Sequence, residues 1–146
     1  MPILNYTTSI KAEKSVMEIQ KILSGSGAKQ IGIDYDDDGD PVSVSFLISI
    51  DGTIVHYRLP SDWEGVQAAL IADRVQTRYR SGEHALKVSW RIVKDWLEAQ
   101  MAIIQSGQAK VQQVMLPYAV ANDGRTLFEH FEDRPSRLLG SHTDTE

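Results

Sequence analysis

The stretch GEHALKVSWRIVKDWLEAQMAIIQS, residues 82–106, decides the fold. Leu86, Trp90, Val93, Leu97, Met101 and Ile104 recur at spacings of three and four. Val88, Ile92, Trp96, Ala99 and Ile103 form a second row beside them, and Lys87, Arg91, Lys94 and Glu98 share the remaining face. This pattern predicts an amphipathic helix with a wide apolar side. Ser81 is placed to cap its start, and Gly107 stands where a left-handed C-terminal cap belongs. At about 1.5 Å per residue the helix would run roughly 35–40 Å, long for a small domain. Two apolar rows imply burial on two sides. One side can take a sheet, the other neighbouring helices or a second copy of the chain. A row left in water would expose an apolar patch of about several hundred Å², which soluble monomers seldom tolerate. The expectation is therefore a homo-oligomer, most simply a two-fold dimer.

Working outward, the residues before the helix alternate with period two. Val42, Val44, Phe46, Ile48 and Ile50 are interleaved with Ser43, Ser45, Leu47 and Ser49, which predicts a half-buried strand. Asp51-Gly52 is a strong hairpin signal, and residues 53–59 return as a strand. Residues 31–35 form another strand, joined to the first by the turn 36–41. Residues 31–59 are thus expected to form a three-stranded antiparallel meander. A further strand at residues 5–10 is expected, with the option of joining its edge. Helices are predicted to open at the capping-box patterns Ser15/Glu18, Ser61/Glu64 and Thr126/Glu129. The second of these carries Trp63, Val66, Ala69 and Leu70 towards Arg78. A short apolar helix or turn covers residues 111–116 and stops at Pro117. The expected order is β-α-β-β-β-α-α-α. It describes an α+β domain over residues 1–133, with helices on one face of a three- to four-stranded antiparallel sheet. A polar, flexible tail is expected over residues 134–146.

Composition sets limits. The chain has 146 residues, 42% of them hydrophobic and 24% charged, which is ordinary for a globular protein with a real core. It has no cysteine, which excludes disulfides and thiolate metal sites. No stretch approaches the roughly 20 apolar residues of a membrane span, and no leader pattern opens the chain, so a cytoplasmic location is expected. The net charge is −5. Arg74, Arg78, Arg80, Lys87, Arg91 and Lys94 face only Glu83 within residues 74–94, which gives that segment +5 and leaves −10 for the rest. Such a split marks either an anion-binding surface or a basic helix packed against acidic loops.

The candidate chemistry is sparse. Asp34, Asp36 and Asp38 with Gly39 match the opening of a calcium loop, but the twelfth position is Ser45, the flanks read as strands and Pro41 falls inside. An acidic hairpin turn explains the same residues. His56, His84, His130 and His142 are scattered without the spacing of a helical zinc site. There is no nucleophile elbow. Ser24-Gly25-Ser26-Gly27 follows a helix, so it reads as a helix stop and not a phosphate loop. No catalytic residue, cofactor or metal ligand is assigned. The basic segment offers the better candidate. Phosphates call for Arg and Lys, and bases for aromatic faces. The expected ligand-binding set is Arg58, Arg74, Arg78, Tyr79, Arg80, Lys87 and Arg91, with Tyr79 as the exposed aromatic. Trp90 and Trp96 lie on the apolar rows and are expected in the core or at an oligomer contact.

The segments Phe46-Leu47-Ile48, Tyr57-Arg58-Leu59-Pro60, the run from Trp90 to Gln100 and Leu116-Pro117-Tyr118 resemble a family of small uncharacterised proteins of phages and prophages. The resemblance extends over most of the chain. Its shared segments are of packing type, so it brings no site residues. It implies one of two roles: handling DNA near a replication module, or disabling a host defence component. Three functional expectations result. The first is a non-enzymatic binding protein for nucleic acid or a nucleotide, including a nucleotide-signal sponge in counter-defence. The second is an acidic inhibitor that presents Asp36, Asp37, Asp38 and Asp40 to a basic host protein. The third is a metal-dependent hydrolase, which requires Asp34, Asp36 and His56 to converge.

Overall fold

The structure is a computed structural model that describes residues 1–135, 139 and 140. The observed order is α1 (Ala12–Gly25), β1 (Ala28–Tyr35), β2 (Pro41–Ile50), β3 (Thr53–Pro60), α2 (Trp63–Ala72), α3 (Gly82–Gln105), α4 (Val111–Met115) and α5 (Leu127–Asp133). Short 3₁₀ turns lie at Thr77–Tyr79 and Leu116–Tyr118. It is an α+β fold built on a three-stranded antiparallel sheet in the order β1-β2-β3. The hairpin turns where expected, with positive φ at both Asp51 and Gly52, as the twist of a tight hairpin demands.

Alternation along the strands sends Val44, Phe46 and Ile48 to the same face as Tyr57 and Leu59. All five are buried against Val16, Ile19 and Leu23 of α1 and Trp90, Leu97 and Met101 of α3. Trp90 is fully buried, and its indole N–H donates to the Pro41 carbonyl at 2.9 Å, which satisfies the one polar atom this large side chain brings inside. Gln30, Gly32, Ser45, Leu47, His56 and Arg58 line the opposite, uncovered face by register.

Helix α3 is the centre of the molecule. It packs against α1 on one side and α2 on the other. Glu18 of α1 meets Arg91 of α3; residues 11–13 border the same cleft as residues 83–87, and residues 21–26 the same cleft as residues 98–105. The two helices therefore run parallel, with their N-termini at the same end. A second, smaller core forms on α3's other side from Leu70, Val75, Ala85 and Val88, closed by Ile3, Tyr6, Trp63, Val66, Tyr79 and Ile92.

Several expectations are corrected. Residues 5–10 are not a strand. Asn5 has φ 65°, the Thr8 N–H returns to the Asn5 carbonyl at 3.0 Å, and the Asn5 side chain donates to Asp95 at 2.8 Å. The segment is a turn strapped over the second core. Helix α1 begins at Ala12, not at Ser15, whose side chain is buried. Asp62, not Ser61, caps α2 by accepting the Gly65 N–H at 3.1 Å, while the Ser61 hydroxyl pairs with that of Ser89 at 2.6 Å inside the protein. Helix α2 ends at Ala72, short of Arg78, because Arg74 adopts a left-handed conformation with φ 56°. The first part of α3's second apolar row is covered from within the chain, by the second core at Val88 and Ile92 and by Tyr118 against Trp96, while Ala99 is exposed and Ile103 half-buried. The apolar area left on α3 for a second copy is thereby smaller than the two full rows implied. Gly107 closes α3 with φ 80° as expected. The expected tail falls mostly on residues 136–138 and 141–146, which lie outside the described residues, as does His142. Among the described residues no helix is long and apolar enough to cross a membrane.

Candidate functional site

The expected ligand-binding residues occupy separate settings. Arg58 leaves β3 on the uncovered face and donates to the Gly124 carbonyl at 2.9 Å, with Glu129 at 3.4 Å. Arg91 is held by Glu18 at 2.7 Å and reaches the Ser15 hydroxyl at 3.5 Å. Its side chain is 14% exposed, so the pair ties α1 to α3. Arg80 turns inward and donates from Nε to the Val75 carbonyl at 2.6 Å, which clamps the connector between α2 and α3. Lys87 borders a cleft described below. Lys94, of the same basic segment, pairs with Glu98 and Asp95. Tyr79 is half-buried, edge-on to Tyr6 at 5.9 Å and 5.1 Å from the His84 ring. Arg78 covers its ring at 4.7 Å, and the His84 ring is held by the Tyr6 carbonyl at 2.6 Å. Arg74 and Arg78 are exposed and make no ion pair among the described residues. Of the six bases of the segment, Arg91 and Lys94 are thus paired with acids and Arg80 is tied to a carbonyl, while Arg74, Arg78 and Lys87 do not converge on one site.

The carboxylates behave differently. The turn after β1 is locked by Asp36, whose Oδ1 accepts the N–H groups of Asp38 and Asp40, both at 2.9 Å. Its own N–H donates to the Asp40 carbonyl at 2.9 Å, and Gly39 supplies φ 82°. This is the side-chain turn that Asp favours. Because α1 and α3 run parallel, their first turns arrive at the same place, bringing Glu13 and Glu83. A cleft of about 650 Å³ opens there, bordered by Lys11, Glu13, Asp40, Glu83, Leu86 and Lys87. The Asp40 carboxyl is pushed above the ordinary carboxylate range, first by loss of hydration and then by Asp36, Asp38, Glu13 and Glu83. Two helix N-termini pointing at the cluster, each with partial positive charge, help to hold it together.

Nothing in residue spacing announced Glu13 and Glu83 as members. Each reads alone as an acid in a helix's first turn, and only the parallel packing of α1 on α3 joins them to the turn at 36–40. The metal-dependent arrangement does not assemble. Asp34 lies opposite Ser43 and accepts its hydroxyl at 2.6 Å, while His56 lies opposite Leu47, farther along the sheet. Among the described residues no three His, Asp or Glu side chains stand close enough to hold a metal ion.

An apolar groove of about 220 Å³ lies where the two cores part, bordered by Leu59, Pro60, Ile92, Val93, Trp96 and Tyr118. Trp96 and Tyr118 meet edge to face at 5.6 Å. Comparison of the chain with protein-family models, with curated proteins and with solved structures found no match, so the functional reading rests on these surfaces.

Proposed function

We propose that this chain is a non-enzymatic binding module whose acidic end engages a basic surface on another protein. The observation that carries the reading is the gathering of Asp40, Glu13 and Glu83 around one cleft beside the turn's Asp36 and Asp38, with Lys11 and Lys87 at its border. Like charges held together repel, and a cationic partner relieves that repulsion while steering association. The overall charge of −5 acts in the same direction. A carboxylate face of this kind can stand in for the phosphates that a nucleic-acid-binding host protein recognises. That is in keeping with the resemblance to small phage proteins and with action against a host defence protein in the cytoplasm.

The test is capture of a basic partner from host lysate, with crosslinks mapped onto the chain. The paired reversal Asp36→Lys and Asp38→Lys is expected to abolish capture and to remove crosslinks from the acidic end, while Arg74→Glu and Arg78→Glu leave both unchanged. The opposite pattern, with salt-sensitive binding of oligonucleotides or cyclic dinucleotides lost in the arginine variants, favours a second reading. In that reading an anionic nucleic acid or nucleotide binds at Arg74, Arg78 and Tyr79. It is supported by exposed Arg78 over Tyr79 in the Tyr6–Tyr79–His84 cluster and by exposed Arg74 at the end of α2.

A further inference from the structure

The sheet has two edges, and the chain treats them differently. The outer edge of β3 is occupied at its middle: Tyr57 bridges Ala119, and the Val120 N–H donates to the His56 carbonyl at 2.8 Å. Among the described residues no segment pairs with the outer edge of β1. Register shifts at 28/30 and 34/35 bound its regular stretch to residues 30–34, and Gly32 stands at the centre. Nothing within this chain asks for glycine there. Its φ is not in the left-handed range, and a Cβ would meet no atom within 4 Å. A glycine inside a strand weakens it and often marks a bulge or a place where a ligand or another backbone approaches; here it leaves the middle of the open edge without a side chain.

We propose that two copies of the chain join along β1, antiparallel about a two-fold axis at Gly32, so that two three-stranded sheets continue as one. The pairing is self-complementary. It sets Ile31 against Ile33 of the second copy on the covered face. On the uncovered face it sets the Gln30 amide against the second copy's Asp34, whose Oδ2 already accepts Ser43 and whose other oxygen is left for the amide. Lys29 arrives beside the second copy's Tyr35 and Asp36, opposite charges at the end of the ladder. Beneath the sheet, the side of α1 turned away from α3 carries Met17, 46% exposed, and the second copy's α1 comes to lie against it. Because a two-fold contact uses the β1 edge of both copies and the middle of the far edge is occupied at β3, addition stops at two copies and gives a closed pair, not a filament.

Light scattering of the full chain across micromolar concentrations tests this. Twice the single-chain mass of 16.3 kDa is expected. Gly32→Glu sets a carboxylate against itself across the axis and is expected to raise the dissociation constant about tenfold, with an unchanged circular dichroism spectrum. Gln30→Lys, which faces Asp34, is expected to lower it roughly fivefold. A single-chain mass at every concentration overturns the proposal, and so does a dimer that responds to neither substitution.

Discussion

At the β1–β2 turn, carboxylates gather beside one another; around α5, Asp123, Glu129 and Asp133 each meet a cation or a donor. Asp40 is raised by loss of hydration and by four acidic neighbours. Asp123 is lowered by the Arg125 backbone N–H and by His130. Glu129 is lowered by the Thr126 backbone N–H and hydroxyl, and then by Arg58. Arg125 is raised by Asp133, at 2.7 Å. The residue types are the same in both places and the arrangement is opposite. The α5 end is closed electrostatically: its charges fasten residues 119–133 to β3 and leave little for a partner. The acidic end is more open: Asp36 holds its own turn, but Glu13, Asp40 and Glu83 make no ion pair among the described residues, although Lys11 and Lys87 border the same cleft. Net charge alone does not separate these cases, whereas the opposite shifts of Asp40 on one side and of Asp123 and Glu129 on the other do.

The largest effect on this contrast is expected from Thr126→Ala. The buried hydroxyl accepts the Glu129 N–H at 3.2 Å and donates to its carboxylate at 3.1 Å. Loss of a helix N-cap costs about 1–2 kcal/mol, measurable by urea denaturation, and hydrogen exchange should place the weakening in residues 119–133. Equal loosening at the acidic turn would show that the two regions are not independent.

Acid titration sharpens the contrast by sign. Asp123 and Glu129 have folded pKa values below their unfolded ones. They stabilise the fold above the ordinary carboxylate range, and that contribution is lost as pH falls through their lowered values. Asp40 works the other way. Its charged form opposes folding at neutral pH, and protonation removes the penalty as pH falls from its raised value to the ordinary one. Residue-resolved hydrogen exchange should therefore show α5 loosening in acid while the acidic turn does not.

The smallest effect is expected from Asp40→Asn. The turn uses only the backbone N–H and carbonyl of this residue, so the amide keeps the geometry and removes one repelling charge. Tm should rise slightly at pH 7, and the gain should vanish once all carboxyls are protonated. A lowered Tm at neutral pH would mean that the Asp40 charge has a favourable partner after all.

The parts of the fold governed by local rules were readable from the residues. Residues 82–106 gave α3 to within one residue because eleven apolar positions agree on one period. The meander followed from alternation and from Asp51-Gly52. The capping boxes were less informative. Thr126/Glu129 is a true box, but Ser15 lies inside α1 with its hydroxyl near Arg91, and Ser61 faces Ser89. Ser followed by Glu three residues later also arises where the serine is a small buried residue. The N-terminal segment was misread because its conformation comes from contacts with Asp73, Asp95 and His84, which strand preference cannot register. The basic set was readable as a charge excess but not as a surface. Whether an arginine faces water or a neighbour such as Glu18 depends on helix packing, and the same packing assembled the acidic end.

The strap at residues 1–10 also has a consequence for how the chain matures during synthesis. Its anchors are Asp73, His84 and Asp95, separated by 70 to 90 positions from the residues they hold. The meander is local and can pair soon after residue 60 has left the ribosome. The first-made residues must wait for α3, and so must the parts of α1 and of the covered sheet face that Trp90, Leu97 and Met101 complete. Contacts closed over such long loops come late, so nascent chains shorter than α3 hold their first residues and an oily sheet face open to chaperones. The segment made first is among the last to be fastened, and α3 decides when.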